Sequence, residues 1–305
     1  MTALTPRDVP DAREDLITWA AHAGKAGTIA PPAARGIATG ARAAGQYYVA
    51  SHMTALARTV GDGLLQFDLM ADDLPEPQGL LVWDGKATAE HDGCAPVAVL
   101  WRLVADQVHL LSLADAADYR AWAMGHEQAA AVGRSAAAEQ VRKAIAGRLA
   151  VRGQTVFPAD GREVPWDRLE LATHVSLVRT LLATWFMTRQ PADARRGLHE
   201  VEEVGPSRSA QKRIARSGGD PTATVRYVTL RRALRPPSEG RDEDGHATRI
   251  YRHRWFVRPH KRTYPDKDHP EGKSRKRVGP YLVTPRGCED APILDPDKLV
   301  NVLRR

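Results

Sequence analysis

Cysteine is nearly absent from this chain. Its 305 residues hold two, Cys94 and Cys288, far apart in sequence. Two thiols make no disulfide framework, and neither has a second Cys/His pair at zinc spacing beside it, so a zinc ribbon is not expected. Such a chain suits a reducing compartment, and the cytoplasm is the expected location. Long apolar runs are missing as well. Val97–Leu103 and Val108–Leu113 fall well short of the roughly 18 residues that cross a bilayer, so no membrane role is expected. The first residues, MTALTPRDVPDARED, are polar and carry acids, unlike a signal peptide. There is no GxxxxGK[ST], no GxGxxG after a strand, no HExxH and no GxSxG. No cofactor and no metal are therefore expected, and no catalytic residue is assigned.

Acidic residues become scarce toward the C-terminus. From Gly205 to Arg305 there are 24 Lys/Arg against 12 Asp/Glu, a net of +12. Met1 to Val204 hold 20 against 25, a net of −5, so the overall +7 belongs to the last third alone. Two parts of opposite charge point to two jobs. An Arg-rich surface from a GC-rich genome is the plain alternative.

What is present reads mostly as helix, then strand. Asp11–Ala23 places Leu16, Trp19, Ala20 and Ala23 on one face, a helix capped by Asp11. The Ala-rich run Ala33–Leu56 reads as helical, with Tyr47, Tyr48 and Val49 as core residues at its far end. Asp68, Asp72, Asp73 and Glu76 form an acidic edge without the loop spacing of a calcium site, so a solvated loop is expected. Gly79–Trp83, Val97–Val104 and Val108–Leu113 predict a small antiparallel sheet, with Ala105-Asp106-Gln107 as the turn. His109, inside an apolar strand, reads as structural. Helices are expected between Ala114 and Ala150, Val151–Pro158 as loop or weak strand, and Trp166–Gln190 as the most apolar helix. The stretch 191–221 reads as a linker containing a short basic helix, Ser207–Arg216, that could touch a polyanion. Beyond it, Thr222–Leu234, Ile250–Val257 and Lys273–Val283 read as strands, the last broken at Gly279-Pro280.

Arg249–Arg286 carries twelve Lys or Arg and only three acids, with aromatic and aliphatic residues between the charges. Phosphate contact needs cations that follow a backbone, and base contact needs exposed aromatic planes. Alternation puts Arg252, Arg254, Phe256 and Arg258 on one side of the second strand, with Arg275, Lys276 and Arg277 on the third. These arginines and lysines, with Lys261 and Arg262, are the expected phosphate contacts; His260 and Tyr264 are expected to orient or stack. The competing reading is a solvated edge that discourages strand pairing. His253, His260, Asp266, Asp268 and His269 lie close together in sequence, but their spacing matches no closed zinc pattern, so a metal nuclease is the least favoured reading.

The segment HRWFVRPHKRTYP…VGPYLVTPRGCEDAPIL is similar to the C-terminal signature of a family of uncharacterised accessory proteins from actinobacteria and their phages or plasmids. Val257, Arg258, His260, Arg262, Tyr264, Pro265, Pro280, Tyr281, Pro285, Ala291 and Pro292 carry the likeness. Leu74, Pro75 and Gly79 of the upstream DLPEPQGLLVWD resemble a Leu-Pro-x-Pro-x-Gly strand start in such proteins. The chain departs at Pro259 and Thr284, where the pattern has Gly, and at Lys261, where it has Trp; losing that aromatic weakens a stacking role. The resemblance implies a related fold over the last quarter and one strand, and a mobile-element setting. It implies no activity.

The expected fold class is α+β: a helical N-terminal domain over 1–190 with a small antiparallel sheet, a linker over 191–221, and a small basic β-rich C-terminal domain over 222–305. The expected function is nucleic-acid binding, with DNA or RNA as partner, in an accessory or regulatory protein. The alternative is an adaptor or toxin-type protein whose basic sheet docks on an acidic protein partner.

Overall fold

At Gly45 the Ala-rich run gives way to Gln-Tyr-Tyr-Val, an aromatic and β-branched sequence, and the backbone changes with it. The computed structural model describes residues 4–64, 68–88, 94–125, 134–166, 172–189, 199–230, 254–257, 260–265, 273–278 and 281–283. In it, helix α1 (Val9–Lys25) is followed by α2 (Pro31–Ala43), which stops before strand β1 (Gly45–Val49), and helix resumes as α3 (Ser51–Asp62). The helix expected over Ala33–Leu56 is thus two helices with a strand between. Tyr47 and Tyr48 are core residues, on opposite faces of that strand.

β1 lies inside a sheet of eight strands. The others are β2 (Gln78–Trp83), β3 (Pro96–Val104), β4 (Gln107–Asp115), β5 (Ile145–Ala146), β6 (Leu149–Pro158), β7 (His199–Val204) and β8 (Val225–Leu230). Their order is β5-β6-β4-β3-β2-β1-β8-β7. β1 runs parallel to both its neighbours, β2 and β8, while the remaining pairs are antiparallel. This mixed sheet with helices on its faces is an α/β fold, and it overturns the α+β division. The small antiparallel sheet is the middle of a larger one. The strand at 225–230, assigned from sequence to a separate basic β domain, is a neighbour of β1. Val151–Pro158 is a full strand, and the stretch read as linker supplies β7.

Alternation along β2 shows how the sheet is covered. Leu80 and Val82 face Leu16, Ala20 and Ala41 of α1 and α2. Leu81 and Trp83 face Met53 and Val60 of α3 and Leu181 and Trp185 of a further helix, Ala172–Thr188. Between β4 and that helix lie α4 (Ala116–Gly125) and α5 (Arg134–Ala144), so Ala172–Thr188 is α6 and Arg208–Arg216 is α7. Asp115 begins α4 by accepting from the N–H groups of Ala117 and Asp118. The turn between β3 and β4 is Ala105-Asp106, both at positive φ (41° and 28°), the geometry a two-residue hairpin turn needs. α3 and α6 touch closely at Gly61, where an added Cβ would lie 2.8 Å from the Arg179 carbonyl carbon.

Two further antiparallel ladders follow. β9 (Trp255–Val257) pairs with β12 (Tyr281–Val283), and β10 (His260–Pro265) pairs with β11 (Lys273–Val278). Among the described residues, no helix is long and apolar enough to cross a membrane.

Candidate nucleic-acid interface

The basic residues of the C-terminal arm are ordered by strand register. Lys261 lies opposite Arg277, Arg262 opposite Lys276, and Arg275 opposite Thr263; His260 and Tyr264 lie on the same strand, opposite Val278 and Ser274. Arg275, Lys276 and Arg277 thus pair with 261–263, not with the strand that ends at Val257. Arg254, just before β9, is half-buried and already engaged in an interaction. Arg252 and Arg258 lie outside the described residues, as do His253, Asp266, Asp268 and His269. The ladder brings two cation pairs directly across from each other, and like charges so placed oppose strand pairing.

A second basic element sits beside the main sheet. Helix α7 starts at Ser207, whose hydroxyl accepts from the Ala210 N–H. Ala210 and Ile214 are buried. Arg208, Lys212 and Arg216, at i, i+4 and i+8, occupy the opposite face and are exposed. None of the three has an ion-pair partner among the described residues. Many cations elsewhere do: Arg148 meets Asp8, Arg142 meets Glu139, Arg189 meets Asp73, and Arg226 meets Glu76. The helix was legible in the sequence and the stripe's signal was its four-residue spacing.

α7 is tied to α1 by Arg213, whose guanidinium lies 2.5 Å from Asp11 Oδ2. One turn on, Asp15 stands over Gly147, where an added Cβ would fall 1.8 Å from its carboxylate. Burial, then the neighbouring Asp11 and Glu14 charges, push Asp15 up to about 6, while Arg213 and Arg148 pull the other way. The folded state therefore holds this proton more tightly than the unfolded chain, whose carboxyl titrates near 3.8. The stabilisation is complete below that value and is lost as pH rises through about 6. Urea midpoints should fall between pH about 4 and about 7, and Asp15→Asn should flatten this part of the profile and raise the midpoint at the upper end. An unchanged profile in the variant would assign the dependence to another group.

Next to β1, Arg226 closes a polar cluster. It donates to the Tyr47 hydroxyl at 2.5 Å, bonds Glu76, and lies 5.2 Å above the Tyr47 ring. Glu76, read from sequence as part of a solvated acidic edge, is therefore a fixed counter-ion. Among the described residues no three His, Cys, Asp or Glu side chains are grouped to hold a metal ion. Compared with family models, curated proteins and solved structures, the chain matches none.

Proposed function

We propose that the chain binds nucleic acid through two basic elements, the β10–β11 arm and the outer face of α7, as an accessory or regulatory protein acting in the cytoplasm. One observation carries this: the arm keeps Lys261 opposite Arg277 and Arg262 opposite Lys276 in its register. A ladder that opposes like charges gives up stability, and a polyanion laid along it would remove that cost. Arg208, Lys212 and Arg216 supply a second line of cations, spaced about 6 Å apart along the helix axis. A chain with only two cysteines suits a reducing compartment. The mobile-element setting comes from the resemblance of the C-terminal segment.

The test is fluorescence anisotropy with labelled duplex DNA, single-stranded DNA and RNA over a salt series. Binding should weaken linearly in log–log form, with a slope reduced by about 0.9 for each duplex phosphate contact removed. Replacing Lys261, Arg262, Lys276 and Arg277 together by Gln should lower the slope by several such steps, and so, separately, should Gln at Arg208, Lys212 and Arg216. Failure to bind any of the three probes at low salt would end the proposal. Unaltered slopes in both variants would do the same, and capture of an acidic protein instead would favour the adaptor reading.

A further inference from the structure

Between the N-terminal half of α2 and strands β3, β4 and β6 lies a cavity of about 300 Å³. Three polar side chains reach it, Arg102, His109 and Gln154; Ala33, Ile37 and Leu111 are among its apolar walls. Arg102 and His109 face each other across the β3–β4 ladder, and Gln78 faces Arg102 across β2–β3. The three form a polar row under α2.

The row is not satisfied from within. Helix α2 crosses it at Gly36 and Gly40, and a Cβ on Gly36 would lie 3.1 Å from Arg102 Nη2. Arg102 Nη1 donates to the Gly36 carbonyl at a long 3.4 Å. The guanidinium has several further N–H donors, and Arg102 has no acidic partner among the described residues. Beside it, Gln78 Oε1 is buried without a hydrogen-bond partner. Burial and the nearby Arg102 charge hold His109 below its ordinary value, which favours the neutral ring. One full positive charge is then left at the cavity, a match for a monoanion rather than a phosphate dianion.

The walls favour an apolar body on that anion: Ile37, Leu100 and Leu111 line the cavity beside Arg102. A cavity of this size with an apolar lining and a few convergent polar groups is the ordinary form of a small-molecule site.

We propose that this cavity binds a small monocarboxylate with an apolar body, the carboxylate on Arg102 and the body against Ile37 and Leu111. A planar carboxylate fits the guanidinium fork with two parallel hydrogen bonds. His109 and Gln154 supply further hydrogen bonds at the rim. Ala33, exposed on the first turn of α2, marks the mouth.

The probe is benzoate, followed by saturation-transfer NMR and by the His109 ring proton signals. The wild-type chain should bind it with a Kd of roughly millimolar or tighter, and benzamide, its uncharged counterpart, should bind at least about tenfold more weakly. Bound benzoate should raise the titration midpoint of His109. Arg102→Met should weaken benzoate binding by about tenfold or more. Ala33→Trp, a change at an exposed position that leaves Arg102 in place, should block the mouth to a similar degree, and it decides the matter if Arg102→Met does not fold. Absence of saturable benzoate binding to the wild-type chain would overturn the proposal, as would wild-type affinity in Ala33→Trp.

Discussion

A chain ending at residue 190 should show no cooperative unfolding transition, whereas one ending at Leu230 should keep it. All eight strands of the main sheet lie within residues 45–230. Removing everything after 190 takes β8 from the side of β1 and leaves β1 paired with β2 alone. Val225 and Ile214 are fully buried and Val228 is 1% exposed. Burying each such side chain contributes about 1.5–3 kcal/mol, so the three together supply roughly 5–9 kcal/mol. That is comparable with the whole net stability of an ordinary domain, about 5–15 kcal/mol. The cut also removes Arg213 from Asp11 and Arg226 from Tyr47 and Glu76. Circular dichroism with urea titration of both fragments checks this. A sharp transition in the shorter one would restore an independent unit at 1–190.

Trp101→Ala should cost about 3–5 kcal/mol, the usual range for emptying a large aromatic site. Trp101 is fully buried, with its ring centroid 5.2 Å from that of Trp185 and 5.8 Å from that of Tyr47. Its indole N–H donates to the Glu76 carbonyl at 3.0 Å, so the substitution leaves that acceptor without its donor as well. The space was made for it: Gly79 lies opposite, and a Cβ there would fall 2.1 Å from the indole. Gly79→Ala should therefore be destabilising by about 1–3 kcal/mol through overpacking, and it should reduce the near-ultraviolet signal of Trp101. A loss below about 1 kcal/mol for Trp101→Ala would mean that the three-ring cluster can close over the gap.

What the sequence disclosed about the fold was local. The β3–β4 hairpin announces itself because its turn lies between two aliphatic runs. The apolar helix α6 was legible for a similar reason, while the break expected at Gly279-Pro280 lies outside the described residues. The pairing of β1 with β8 was not, because Tyr47 and Arg226 are 179 positions apart and neither segment's pattern names its partner. β1 itself was hidden by the helix-forming alanines before it. At the candidate interface the charge of the arm was plain, but the choice of partner strand was not. Arg275–Arg277 were expected near Arg252–Arg258, and the register puts them opposite 261–263. Arg102 and His109 escaped notice because they meet across a ladder, although His109 was seen as a residue of an apolar strand.

The place of β8 has a consequence for how the protein is made. Synthesis runs at about 5–20 residues per second, so roughly ten to forty seconds separate the emergence of β1 from that of its second neighbour. During that interval Val49 and the two tyrosines border an open strand edge on the ribosome. A nascent chain in this state is a natural client for a holdase chaperone, and its yield should respond to translation speed more than the stability of the finished protein would indicate.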